Sequence, residues 1–244
     1  MRFLYFGYGV ISYLIFFVTF LYAIGFVEGM VVPKTVNEGG ADTPFHIALM
    51  INCALLGVFA AQHSVMARAE FKAIWTKFIP NVLERSTYVL LSSFALILLF
   101  WQWRPMPNPV WDLSTGPLNS ILIGLSLLGW LVVLLSTFLI SHFELFGLKQ
   151  VFFHLRGKEM PSTPFRTPIL YKVMRHPIYF GFTLAFWSAP LMTQGHLLFA
   201  VGTLGYVIVG ILLEERDLVH TFGDEYRNYK NQVSMLIPMP IRKG

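Results

Sequence analysis

The chain has 244 residues and a formal net charge of +5; 55% of its residues are hydrophobic, 16% aromatic and only 13% charged. A soluble domain carries roughly 25% charged residues, so this composition excludes a water-soluble globule, and its apolar content excludes a disordered chain. The single cysteine, Cys53, excludes an internal disulfide framework and a Cys-pair zinc site, which leaves an integral membrane protein. Uncharged runs cover residues 3–27, 43–67, 86–103, 113–143 and 176–213. About 20 residues of helix cross a bilayer core of roughly 30 Å. The last run would measure about 57 Å as one helix at about 1.5 Å per residue, so it is expected to turn once, at Pro190 and Gln194-Gly195-His196. The first run is too long for the core of a cleaved signal and is read as the first span. The expected fold is all-α: a polytopic membrane helical bundle of about five spans with a C-terminal helical hairpin at 177–213, so six apolar segments in all. Cytoplasmic C-terminal helices are expected to cover a cofactor pocket. The expected division is a four-span bundle at 1–140 and a cofactor-binding region at 141–244.

Placing the N-terminus inside puts sixteen of the eighteen Lys and Arg residues on the inner side, Arg242 and Lys243 among them, and only Lys34 and Arg104 outside. That asymmetry predicts an inner-membrane protein with both termini cytoplasmic. The basic residues flank spans, where lipid phosphate is the nearer partner, so no nucleic-acid partner is expected. Gly7-x-Gly9-x-x-Ser12 is half a dinucleotide fingerprint, but it lies inside the first span and is discarded. The seven histidines show no pair at metal-ligand spacing, and no metal is expected.

Two charged clusters stand out at span boundaries, where ionisable groups are costly. Arg175-His176-Pro177-Ile178-Tyr179-Phe180-Gly181 opens the hairpin. Pro177 suits a first helical turn, and the free amides of that turn with Arg175 and His176 beside them form an anion site. Gly181 permits close approach by a ligand or another helix. Glu214-Glu215-Arg216-Asp217 closes the hairpin, and the turn should return it to the side of the first cluster. An anion site facing carboxylates suits a zwitterion that also bears a positive centre, as S-adenosylmethionine does. Beyond it, the spacing predicts a helix over 212–232 broken near Gly223, with Asp224 capping the second part and Pro238 and Pro240 ending it.

The Arg-His-Pro-x-Tyr-x-Gly stretch, with Glu214-Glu215, Phe222-Gly223, Glu225-Tyr226, Tyr229, Val233 and Pro238, resembles the isoprenylcysteine carboxyl methyltransferase family. Gln62-His63-Ser64-Val65-Met66-Ala67-Arg68, Glu84-Arg85-Ser86-Thr87-Tyr88, Trp111 and the 142–151 segment resemble its NnrU-like branch. The resemblance implies a membrane-embedded S-adenosylmethionine pocket. It implies cofactor contacts from Tyr171, Arg175, His176, Tyr179 and Glu214, and from His142 and Gln150 of the branch-specific segment. The 142–151 segment departs from the prenylcysteine enzymes, and the bacterial members that the whole chain resembles act on a small lipid-soluble thiol, methanethiol, to give dimethyl sulfide.

Such a reaction needs a thiolate, because a thiol barely attacks. Glu215 is the first candidate for the base, Glu84 the second and His63 the third, all placed at the inner rim. Glu84-Arg85 also reads as a structural ion pair, and His63 as a helix-to-helix hydrogen bond. Two further readings stay open. One is a non-catalytic NnrU-like membrane factor in nitrogen-oxide metabolism. The other is an NADPH-dependent reductase, since the Arg-His-Pro element also resembles the sterol reductases.

Overall fold

The computed structural model describes residues 1–161 and 165–239; Pro240, Arg242 and Lys243 lie outside the described residues. In chain order the helices are α1 (Arg2–Glu28), α2 (Phe45–Ala67), α3 (Ala69–Trp75), α4 (Asn81–Gln102), α5 (Pro117–Ile140), α6 (His142–Leu145), α7 (Leu148–Leu155), α8 (Pro177–Trp187), α9 (Gln194–Phe222) and α10 (Asp224–Gln232). Two short strands, β1 (Pro109–Asp112) and β2 (Leu191–Thr193), and a 3₁₀ turn at Ile169–Lys172 complete the described elements. Among the described residues five helices, α1, α2, α4, α5 and α9, are long and apolar enough to cross a membrane. The chain is a helical membrane bundle with one small sheet, folded as two compact units: residues 1–108 with 141–162, and residues 109–140 with 163–244.

In the first unit α4 is central, with α1, α2 and α7 packed against it. Gly9 lets α1 approach α7, since a Cβ there would lie 2.5 Å from Val151 Cγ2. Asn52 in α2 clasps the chain after α4. Its amide donates to the Arg104 carbonyl at 2.7 Å and its carbonyl accepts from the Arg104 N–H at 2.9 Å. A buried amide with both ends bonded in this way avoids the cost of a lone polar group among spans.

In the second unit α5 and α8 form the closest helix pair. A Cβ on Gly129 would lie 2.6 Å from the Gly181 carbonyl, and one on Gly181 would lie 2.7 Å from the Gly129 carbonyl. Gly181 therefore serves contact with another helix, one of its two expected uses. Ser126 donates to the Ala185 carbonyl at 2.8 Å, and Trp130 packs edge-on against Phe182 and Phe186.

The hairpin has one short arm. α8 has 11 residues, about 16 Å of rise, and is too short to span as a helix. Pro190 disfavours helical backbone in the residue before it and supplies no N–H of its own. The chain continues extended into β2, which pairs antiparallel with β1, Trp111 opposite Met192 and Asp112 opposite Leu191. This sheet was not expected from the sequence. Trp111 secures it by donating its indole N–H to the Ala189 carbonyl at 3.0 Å. The helix break at Gly223 falls where the spacing placed it, with a φ of +58° that favours glycine. Asp224 does not cap α10: Gly223 occupies the cap position and the Asp224 carboxylate pairs with Arg227 at 2.7 Å.

Candidate active site

The residues before α8 are held by the end of the chain. Met174 and Ser234 form a parallel bridge, the Arg175 N–H donates to the Ser234 carbonyl at 2.9 Å, and the His176 N–H donates to the Met235 carbonyl at 3.2 Å. This backbone pairing fixes the start of α8, where Pro177 occupies the first turn.

The side chains of that segment meet the inner end of α9. Arg175 Nε donates to Glu215 Oε1 at 2.7 Å, and Arg175 Nη1 donates to the carbonyls of Lys230, at 3.0 Å, and Val233. His176 Nε2 lies 3.1 Å from the same Glu215 oxygen; a carboxylate only accepts, so this nitrogen carries the proton. Lys230 Nζ reaches Glu215 Oε2 at 2.7 Å. Glu215 is thus almost fully buried, at 3% exposure, with both oxygens engaged by cationic or N–H donors. Opposite charges at this distance in a poorly solvated place attract strongly, and the bonded donors offset the cost of removing the charge from water.

Glu214 is placed differently. Its Oε2 accepts from the Tyr179 hydroxyl at 2.9 Å, and its side chain is 44% exposed. His176 Nδ1 is 3.9 Å from that oxygen, beyond hydrogen-bond reach. Of the two adjacent carboxylates, one is locked into the protein and the other retains acceptor capacity.

Three tyrosines form the remaining wall. The Tyr229 hydroxyl donates to the Tyr171 carbonyl at 2.5 Å, and Phe165 packs edge-on against Tyr226 and Tyr229. Burial and the charge of Glu214 push the Tyr171 phenol up, burial and Glu215 push Tyr226 up, and burial pushes Tyr229 up to about 12. All three are neutral hydrogen-bonding groups near neutral pH. Tyr226 is only 1% exposed, yet its hydroxyl has no hydrogen-bond partner. A buried hydroxyl without a partner costs on the order of 1–3 kcal/mol, so it marks a place for a polar ligand atom.

The structure therefore brings together Tyr171, Arg175, His176, Tyr179, Glu214 and Glu215 in one unit. The other four candidate residues lie in the first unit. His63 bridges α2 to α4: its Nε2 pairs with the Tyr88 hydroxyl at 2.7 Å and its Nδ1 with Ser92 at 3.1 Å. Glu84 forms an ion pair with Lys72 at 3.7 Å, while Arg85 donates to the Leu145 carbonyl at 2.7 Å and its guanidinium covers the Tyr88 ring. Glu84 and Arg85 thus have separate partners in these contacts. His142 Nε2 pairs with the Tyr13 hydroxyl at 2.9 Å, and burial pushes its imidazole below the usual histidine range. Gln150 donates to the Glu144 carbonyl at 3.0 Å and leaves its own Oε1 buried without a partner.

Lys230 was missed in the sequence, where it registers only as one of many inner-side cations. Tyr226 was visible as part of the motif but carried no role. Among the described residues, no three His, Cys, Asp or Glu side chains converge as a metal site.

No family model matches the chain, and no solved structure matches it. Among characterised sequences it is 58% identical to methanethiol S-methyltransferase 1 of Bradyrhizobium diazoefficiens, over 97% of this chain and 83% of that one. It is 54% identical to methanethiol S-methyltransferase of Mycobacterium tuberculosis, over 99% of this chain and 98% of that one. A more distant relative is nurim of Xenopus laevis, 30% identical over 78% of this chain and 69% of that one.

Proposed function

The chain belongs to the methanethiol S-methyltransferase family, within the isoprenylcysteine carboxyl methyltransferase-like membrane proteins, and from that premise we propose that it transfers a methyl group from S-adenosylmethionine to methanethiol, giving dimethyl sulfide. The observation that carries the reading is the 54% identity extending over 99% of this chain and 98% of the M. tuberculosis enzyme. The proposed setting is the bacterial inner membrane with both termini cytoplasmic, supported by the inner-side excess of Lys and Arg.

The site fits the methyl donor on its own chemistry. The unpartnered Tyr226 hydroxyl and the half-exposed Glu214 carboxylate are a polar atom and an anion available to a cationic, hydroxyl-bearing ligand. Tyr171, His176 and Tyr179 complete the binding wall. When bound, S-adenosylmethionine supplies an electrophilic methyl on a sulfonium and departs as a neutral thioether. The chain's own residues have two further tasks. Arg175, Glu215 and Lys230 are committed to one another, so their role is to position the start of α8 against α9. Glu214 takes up the proton that the thiol must lose, because its carboxylate keeps acceptor capacity while that of Glu215, the base favoured by the sequence, is saturated. An apolar surrounding favours a step in which thiolate and sulfonium charges cancel.

The test uses purified protein in lipid nanodiscs with methyl-labelled S-adenosylmethionine and methanethiol. Labelled dimethyl sulfide in the headspace is expected. Absence of label with every thiol tried overturns the reading and favours a non-catalytic membrane factor.

A further inference from the structure

His176 stands between the two carboxylates of α9 and meets them with different nitrogens. Its Nε2 donates to Glu215 Oε1 at 3.1 Å. In the neutral ring the other nitrogen, Nδ1, is then an acceptor, and it lies 3.9 Å from Glu214 Oε2. The imidazole is 4% exposed and the Glu214 side chain 44% exposed. Glu215 is itself held by Arg175 and Lys230, so it cannot turn away from the ring. A fixed carboxylate of this kind sets the tautomer of the histidine that donates to it. The ring also lies beside Tyr179, with centroids 5.6 Å apart, and the Tyr179 hydroxyl donates to the same Glu214 oxygen at 2.9 Å.

The charged and titratable groups around this imidazole come from every element packed there. They are Arg175 before α8, Tyr179 on α8, Glu214 and Glu215 on α9, and Lys230, Tyr226 and Tyr229 on α10. Two cations and two anions leave the surroundings without net charge, so they impose neither protonation state on the ring.

We propose that His176 Nδ1 is the second station of the thiol proton: Glu214 takes the proton first and passes it to the imidazole, which Glu215 holds in the accepting tautomer. The inference rests on the methyl-transfer reading above and adds to it a destination for the proton. The S–H bond breaks with its electron pair left on sulfur. That pair forms the new S–C bond, and the pair of the broken C–S bond stays on the departing thioether. The Glu214 O–H bond then breaks as the Nδ1–H bond forms, and Glu214 regains its negative charge. Imidazole is a stronger base than a carboxylate by about two pKa units, so this transfer runs downhill. The 3.9 Å gap must close by about 1 Å to reach hydrogen-bond distance, a movement open to a half-exposed side chain turning about its own bonds. The imidazolium returns its proton through Glu214 to water when the products leave.

The experiment measures kcat against pH in nanodiscs at saturating S-adenosylmethionine, for wild type and His176→Gln. The substrates are methanethiol and 2,2,2-trifluoroethanethiol, a thiol made more acidic by its fluorines. Glutamine keeps an amide donor for Glu215 and removes the proton-accepting nitrogen. Wild type with methanethiol is expected to hold a plateau from about pH 7 to about pH 8.5, below ordinary thiol ionisation, with its acidic limb in the histidine range. His176→Gln is expected to lower kcat for methanethiol about a hundredfold at the start of that window. Its kcat should then rise about tenfold per pH unit, because only thiolate made by solvent reacts. With the fluorinated thiol at the upper end of the window it should come within about threefold of wild type. A plateau in His176→Gln overturns the inference and leaves the proton on Glu214. An equal loss with both thiols also overturns it and makes the histidine a part of the wall only. Should His176→Gln fail to fold, the wild-type acidic limb decides: the histidine range supports the inference and the carboxylate range overturns it. A wild-type protein that methylates no thiol overturns the transfer reading and this inference with it.

Discussion

Glu214 and Glu215 are identical side chains one residue apart with opposite prospects. Glu215 faces Arg175, His176 and Lys230, so replacing it by Gln leaves buried cations without their counter-charge. Breaking a buried pair from one side costs about 3 kcal/mol or more; Glu215→Gln should therefore lower the melting temperature in detergent markedly and cut turnover through loss of structure. Glu214→Gln removes a half-exposed carboxylate that accepts from the Tyr179 hydroxyl. It should melt within a degree or two of wild type while lowering kcat about tenfold or more, the usual contribution of a positioned proton acceptor. Equal thermal losses in the two variants would contradict this division of labour. The tyrosine wall gives a prediction at alkaline pH. Burial raises Tyr229 from 10.0 to about 12, so the folded protein holds this proton more tightly than the unfolded chain. The stability so gained is complete below pH 10.0 and is lost as pH rises through about 12. Melting curves recorded across that window should fall less steeply for Tyr229→Phe than for wild type.

Among the elements, α8 depends on neighbours on two sides. Toward α5 it needs glycine, because Cβ atoms at 129 or 181 would lie 2.6–2.7 Å from backbone of the facing helix. Small residues at such a crossing let the backbones approach, which is how helices associate where the hydrophobic effect gives no help. Gly129→Ala and Gly181→Ala should each destabilise the second unit by about 1–3 kcal/mol, the usual cost of overpacking, as measured by thermal melting in detergent. Toward α9 the demand is absent. A Cβ on Gly210 meets the Tyr179 hydroxyl at 3.8 Å, ordinary contact, and alanine is the better helix former by about 1 kcal/mol. Gly210→Ala should therefore leave the melting temperature unchanged or raise it. The tail is equally structural: carbonyls of Ser234 and Met235 pair with the backbone of Arg175 and His176, and Lys230 neutralises Glu215. Without α10 and residues 233–239 the segment opening α8 loses both its backbone ladder and one of its counter-charges.

For the whole molecule the distribution of Lys and Arg sets the expected orientation. After Cys53→Ser removes the only native thiol, single cysteines placed at Val110 and at Arg227 should label from opposite sides of sealed cells: the first with an impermeant maleimide added outside, the second only after the membrane is opened. Outside labelling at 227 would reverse the proposed topology. The two compact units do not follow chain order. α5 belongs with the hairpin and α10, while residues 141–162 return to the unit of α1, α2 and α4. Gly129 facing Gly181 and β1 pairing with β2 are the contacts that draw 109–140 to the later part of the chain.

The spans, the Gly223 break and the motif at the two ends of the hairpin are legible along the chain without any fold. Hydropathy over about 20 residues and the local demands of proline and glycine are properties of short stretches, legible wherever they occur. Which acidic group faces inward is set by packing between distant segments, because successive helix residues point about 100° apart and two adjacent glutamates cannot both face the same partner. The packing of α8, α9 and α10 turned Glu215 toward Arg175 and left Glu214 available. The same packing recruited Lys230, shortened α8 at Ser188-Ala189-Pro190 and left the Tyr226 hydroxyl buried without a partner. Each of these depends on segments far apart in the chain meeting at a few ångströms, which no local pattern encodes.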